Sequence, residues 1–188
     1  MNTKRNQKFI ESEKKIEEAL FKLSKNKSIE EVSVLSICKE ASINPSTFYA
    51  HYEDIYDLVK QLSKKYTEEM MEDEKNNEET DSYIFSKKSI FIFLRHIKKY
   101  KEFYSISLHT RKEFPIQEGY DYLLYIIRDK CKKKGITDEN EILYYLVGYQ
   151  SSFTMLLKRW VDQDCKESID KMADIIYHCL PDVLKETL

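Results

Sequence analysis

The sequence predicts an all-α fold in two domains, and three observations carry that prediction. Helical periodicity of apolar residues runs through nearly every segment. Only 3 glycines and 3 prolines occur in 188 residues, which leaves few tight turns and favours long helices. No segment shows the alternation a strand requires, and no internal repeat is found.

The elements follow in order. Residues 8–25 place Phe9, Ile16, Ala19, Leu20 and Leu23 on one face, with Lys and Glu opposite. Ser33 is positioned to cap a second helix reaching Ala41, with Val34, Ile37, Cys38 and Ala41 inward. After a three-residue turn, Asn44 is an N-cap and Pro45 takes the first helical position, where its missing N–H costs nothing. This third helix is short, ending near Tyr52, because Asp54 reads as the cap of a fourth helix over 55–75.

Residues 67–82 hold eight acids and one lysine, a solvated face or loose connection. The domain boundary falls near residue 66, giving domains 1–65 and 66–188. Beyond it, helices are expected over 83–99, 102–108 and 116–134, the last stopped by Gly135. Residues 139–161 are apolar on most faces and carry the small residues Gly148, Ser151 and Ser152. Such a helix is buried on more than one side. With its neighbour over 167–180 it suits a subunit interface as well as a core, and Tyr145, Gly148, Ser152, Trp160, Met172 and Ile176 are the interface candidates.

Composition narrows function. A formal net charge of −2 excludes coating nucleic acid by bulk charge, so any such binding is local. The four cysteines are widely spaced with no C-x-x-C, which reads as free thiols. The histidines show no metal-ligand spacing, and no phosphate-binding glycine loop or nucleophile elbow is present, so neither a metal, a cofactor nor an enzymatic activity is expected. No apolar run approaches ~18 residues, and the start lacks a signal peptide's apolar stretch. A cytoplasmic protein is expected.

The stretch ASINPSTFYAHY, from Ala41 to Tyr52, carries the sharpest signal. No charged residue occurs from Ile43 to Tyr52, where a solvated helix would show Lys and Glu. Helix, turn and helix match the helix-turn-helix plan over about 33–52, in which the second helix enters the major groove. Ser46, Thr47 and Tyr49 are suited to phosphate oxygens, Ala50 to a thymine methyl, and His51 or Tyr49 to a base edge. Phe48 and Tyr52 fall on the opposite side and should pack inward.

SVLSICKEASINPSTFYAHYEDIYDL resembles the DNA-binding signature of the tetracycline-repressor (TetR) family, specifically over residues 8–62. SFTMLLKRWVDQDCKESIDKMADII also resembles the last two helices of one subgroup. The resemblance implies an all-α homodimer: an N-terminal three-helix DNA-binding domain joined by a linking helix to a C-terminal regulatory and dimerisation domain. Its partners would be a palindromic DNA operator and a small-molecule effector, and its output most simply repression. By position, Thr47 and Tyr49 would hold phosphates, and Pro45, Ser46, Ala50 and His51 would face bases. Lys4, Arg5 and Lys8 resemble a basic arm, and the caps Ser33 and Asn44 complete the DNA-facing set.

Two departures stand out. Ser42 occupies a turn position where relatives carry Gly, and Ile55 one where relatives carry a phosphate-gripping Lys. Residues 1–62 hold ten basic and ten acidic side chains, predicting either few phosphate contacts and a shallow salt dependence or a narrow basic strip hidden by the average. The alternative is a helical interaction module controlled by a protein partner, with weak or no DNA binding. Ten of the 14 tyrosines lie at or after Tyr83, and that aromatic density nominates Phe91, Tyr104, His109, Tyr122, Tyr125 and Tyr149 as effector-pocket candidates.

Overall fold

Two helical units, Met1–Glu68 and Glu69–Leu188, make up the computed structural model. It describes residues 3–25, 27–75, 84–110 and 120–185, and every regular element among them is helical.

In the first unit, α1 spans Thr3–Ser24, α2 Val34–Ala41 and α3 Pro45–Tyr49, and α4 begins at Ile55 and runs to Lys75. A single 3₁₀ turn, Ile29–Glu31, precedes α2. The core takes residues from all four helices: Ile16 and Leu20 of α1, Ile37 of α2, Phe48 of α3, and Leu58 and Leu62 of α4 are fully buried. Each such side chain stabilises the fold by about 1.5–3 kcal/mol. Ile55 is buried as well, so the start of α4 presents an apolar side chain inward and no cation outward.

Local chemistry sets the helix ends. Ser33 Oγ accepts the Ser36 amide at 3.2 Å, and Ser36 Oγ accepts the Ser33 amide at 3.0 Å, closing a reciprocal box at the head of α2. A related pair of bonds heads α4: Asp54 accepts the Asp57 amide at 2.8 Å, and Asp57 accepts the Glu53 amide, one residue before the cap, at 3.0 Å. α3 is shorter than the sequence suggests. It stops at Tyr49, and Ala50–His51 form a turn into the Asp54 cap.

The α2–α3 turn is left-handed at Ser42, with φ 53° and ψ 47°. The Ile43 amide bonds back to Cys38 O at 3.0 Å, which closes the turn and forces that conformation. A Cβ is unfavourable there.

In the second unit, α5 is Lys87–Lys99, α6 Lys101–Thr110, α7 Tyr120–Lys133, α8 Glu139–Asp162 and α9 Ile169–Cys179. Residues 116–119, expected as the first turn of α7, lie outside the described residues. α5 packs along α9, while α6 and α7 pack along α8. Leu94 and Ile97, Ile127 and Cys131, Ile142 and Leu146, and Met172 and Ile176 form the core. Ser86, Asp138 and Ser168 cap α5, α8 and α9. Gly135, at φ 82°, ends α7. All four cysteines are free thiols, three of them buried and Cys179 exposed.

Trp160 corrects the expectation of an interface anchor. It is 1% exposed inside the second unit, and its indole N–H donates to Glu167 O at 3.2 Å. Met172 and Ile176 are equally buried, so these three belong to the core. The α8–α9 turn explains why. Asp164 and Cys165 both adopt positive φ, 56° and 52°. The Cys165 amide caps Trp160 O at 2.9 Å, and Lys98 donates to Cys165 O at 3.3 Å. This reversal brings Glu167 of the α8–α9 connection back to the indole.

Two stability predictions follow from these sites. Ser42→Gly should raise unfolding free energy by ~0.5–1 kcal/mol by relieving the left-handed serine, read from urea denaturation; a loss of stability would contradict the turn geometry. Trp160→Ala should cost about 3–5 kcal/mol, and a loss within ~0.5 kcal/mol would contradict its core position.

Candidate nucleic-acid interface

A helix of five residues does not persist alone in water. α3 exists because Phe48 is fully buried beneath it and Tyr52, just past its end, is 4% exposed. Phe48 packs edge-on to Tyr49 and tilted against Tyr52, both at 5.7 Å. That anchoring turns the opposite side outward. Asn44, Pro45, Ser46 and Ala50 are exposed, Tyr49 is 60% exposed, and Thr47 is half-buried. The Asn44 amide makes no capping hydrogen bond, which leaves it uncommitted at the head of the helix. Ser33, also exposed, heads α2, and its hydroxyl hydrogen remains available to an outside acceptor.

His51 differs from the base-facing position expected of it. Its ring lies 3.8 Å from that of Phe9, and Nε2 is 2.8 Å from Ser12 Oγ. The Ser12 hydroxyl directs its hydrogen to Phe9 O at 2.8 Å and Lys8 O at 3.0 Å. A proton on His51 Nε2, donated to Ser12 Oγ, is the tautomer that satisfies all of these contacts at once. Because α3 ends at Tyr49, the chain has already turned, and the imidazole ties the end of α3 to α1. His51 is a positioning residue in this geometry. Burial lowers its pKa below the ordinary 6.5, with the Glu13 charge opposing.

The side chains of Lys4 and Arg5 lie outside the described residues. Lys8 is exposed and precedes Phe9, the ring tilted against His51. The neutral charge of this unit conceals an uneven distribution. Lys14, Lys15, Lys22, Lys64 and Lys65 each pair with a glutamate. Lys8, Lys27, Lys39 and Lys60 carry no ion pair among the described residues and are the cations left for an outside anion.

The effector candidates do not converge. Tyr122 and Tyr125 are 59% and 68% exposed, since α7 turns Ile127 and Cys131 inward and these tyrosines away. His109 is exposed, with Nδ1–H donating to Ser105 O at 2.7 Å and Nε2 lying 3.5 Å from Asp162. Phe91, Tyr104 and Tyr149 do lie on the core of the second unit. Tyr149 stacks on Phe153 at 5.4 Å and meets Phe85 edge-on at 5.1 Å. Burial alone raises its phenol pKa, and no hydrogen bond to it is found among the described residues. On α8, Gly148 is exposed and Tyr145 and Ser152 are half-buried. Sequence reasoning missed Tyr144 and Met155, 77% and 63% exposed on the same helix. Their spacing from Gly148 was the available signal.

Residues 86–182 match the family model described as the transcriptional regulator C-terminal region of the TetR type. The chain belongs to the TetR family of transcriptional regulators. Among solved structures, this TetR-family chain is similar to one titled "Dihydroxyacetone kinase operon activator DhaS", at 20% identity and a TM-score of 0.47, over 89% of this chain and 92% of that one. Comparison with curated proteins gives no match. No described helix is long and apolar enough to cross a membrane.

The His51 geometry has a pH signature. With its folded pKa depressed, the unfolded chain binds more protons just below pH 6.5, so this contribution is present above 6.5 and lost as pH falls. Urea midpoints should decline between about pH 7 and 5.5, and His51→Gln should flatten part of that decline. An identical decline in both proteins would contradict the half-buried imidazole.

Proposed function

We propose that this TetR-family regulator acts as a homodimeric repressor that binds a palindromic operator and is released by a small-molecule effector. The observation that carries the reading is the outward face of α3. Asn44, Ser46 and Tyr49 present an amide, a hydroxyl and a phenol on a helix immobilised by Phe48.

Thr47, Tyr49 and the Ser33 hydroxyl serve phosphate oxygens, which fix register without reading sequence. Pro45, Ser46, Ala50 and the Asn44 amide meet base edges. Lys8, with Lys4 and Arg5 of the arm, follows the backbone.

Dimerisation uses the open stripe of α8. Tyr144, Gly148, Ser152 and Met155 recur every three or four residues, and a Cβ added at Gly148 would meet nothing within 4 Å. Such a stripe admits close approach of a second copy, with half-buried Tyr145 at its margin. The effector reading rests on Phe91, Tyr104 and Tyr149, three aromatic groups with one uncommitted phenol. To lower operator affinity a hundredfold, an effector needs about 2.7 kcal/mol of preference for the releasing conformation.

Selection from randomised duplex DNA at low and moderate salt tests this reading. Enrichment of a palindrome is the expected result. No enrichment by folded dimer would favour an interaction module in its place. On the selected duplex, Thr47→Ala and Tyr49→Phe should each weaken binding by about 1 kcal/mol irrespective of sequence, whereas changes at Ala50 should alter base preference. Gly148→Glu should shift the dimer towards monomer in analytical ultracentrifugation; an undisturbed dimer would place the interface elsewhere.

A further inference from the structure

A cleft of about 420 Å³ opens between α1 and α4 within the first unit. That volume is at the small end of the range for ligand sites. Leu62 gives it an apolar floor, while Glu13, Glu17, Tyr52, Gln61 and the Lys64–Lys65 pair supply polar groups. None of these side chains is proposed to touch DNA, although Tyr52 also anchors the end of α3.

Ion pairing assigns most of its charges. Glu17 takes Lys65 through both oxygens, at 2.9 and 3.2 Å. Lys64 faces Glu68, also on the cleft wall, at 3.9 Å. Glu13 remains the one cleft carboxylate without an ion pair among the described residues. The cleft therefore holds one excess negative charge, and both lysines are committed.

A second feature points to an occupant. Tyr52 is 4% exposed and lines the cleft, yet its phenol makes no hydrogen bond among the described residues. The hydroxyl itself is not sealed from solvent and opens on the cleft as a free acceptor. Burial and the charges of Glu13, Glu17 and Asp57 all hold the phenol in its neutral form. The field at its oxygen is thus negative, which repels an anion and favours an N–H donor. No cluster of three metal-ligating side chains occurs among the described residues, so an organic cation suits this wall better than a metal ion.

We propose that the cleft binds a small organic cation bearing a primary ammonium, which donates one N–H to the Glu13 carboxylate and one to the Tyr52 phenol oxygen. Gln61 places the site next to the end of α3. Its amide donates to Asp57 at 2.9 Å and reaches His51 O at 3.5 Å, and its own oxygen remains to accept from the same ligand. The site is separate from any effector pocket in the second unit, and the proposal does not rest on DNA binding.

The test titrates the full chain, without DNA, with 1,4-diaminobutane by calorimetry at low ionic strength. Tetramethylammonium, which carries charge but no N–H, is the control. Saturable binding of the diamine is expected, with tetramethylammonium at least about tenfold weaker. Glu13→Gln and Tyr52→Phe should each weaken the diamine about tenfold or more, and Lys64→Gln should leave it unchanged or tighter. Absence of saturable binding by the wild-type chain overturns the proposal. So does equal affinity for the control, or unchanged affinity in either variant that folds by circular dichroism. If Tyr52→Phe does not fold, the half-buried Glu13→Gln decides.

Discussion

Burial of Phe48 in the core of the first unit holds in place a five-residue helix that would otherwise melt, and the outward face of that helix depends on it. The constraint is geometric. One aromatic ring inward sets the rotation of α3, and rotation decides which of Ser46, Thr47, Tyr49 and Ala50 meets solvent. Tyr52 and His51 fix the far end, the first by burial and the second by its bond to Ser12. At the near end, Pro45 pre-sets φ and left-handed Ser42 sets the angle between α2 and α3. Each clamp draws on a different interaction, so no single surface substitution should rotate the helix.

The electrostatics of this unit follow a similar economy. A neutral total would be a poor match for a polyanion if its charges were evenly spread. Instead, five lysines are held by glutamates, largely along α1 and α4. The cations without ion pairs are few, which fits a protein that relies on hydroxyls, amides and shape more than on charge. Affinity built this way falls gently with salt, because few counterions are released.

Much of the fold was legible because helix ends are written in short chemical signals. Ser33, Asn44–Pro45, Asp54 and Gly135 each mark a boundary through a cap, a fixed φ or a left-handed residue. Phe48 and Tyr52 were legible as inward residues from spacing alone. His51 was not, since spacing presumes a continuing helix and α3 ends two residues earlier. Trp160 was misplaced because a helix apolar on most faces does not reveal which face meets its own core. Tyr122 and Tyr125 failed for a simpler reason: aromatic density carries no direction, whereas the Ile127 and Cys131 pair on the same helix does. The α1–α4 cleft had no sequence signature at all, because its walls come from residues about fifty positions apart.

The measurement that tests the central claim most directly is amide hydrogen exchange on the full chain, with and without a duplex that it binds. Added protection should concentrate at the head of α2, around Ser33–Ser36, and across Asn44–His51. Protection confined to α8 and α9, or spread evenly over the surface of the first unit, would contradict α3 as the element that meets DNA.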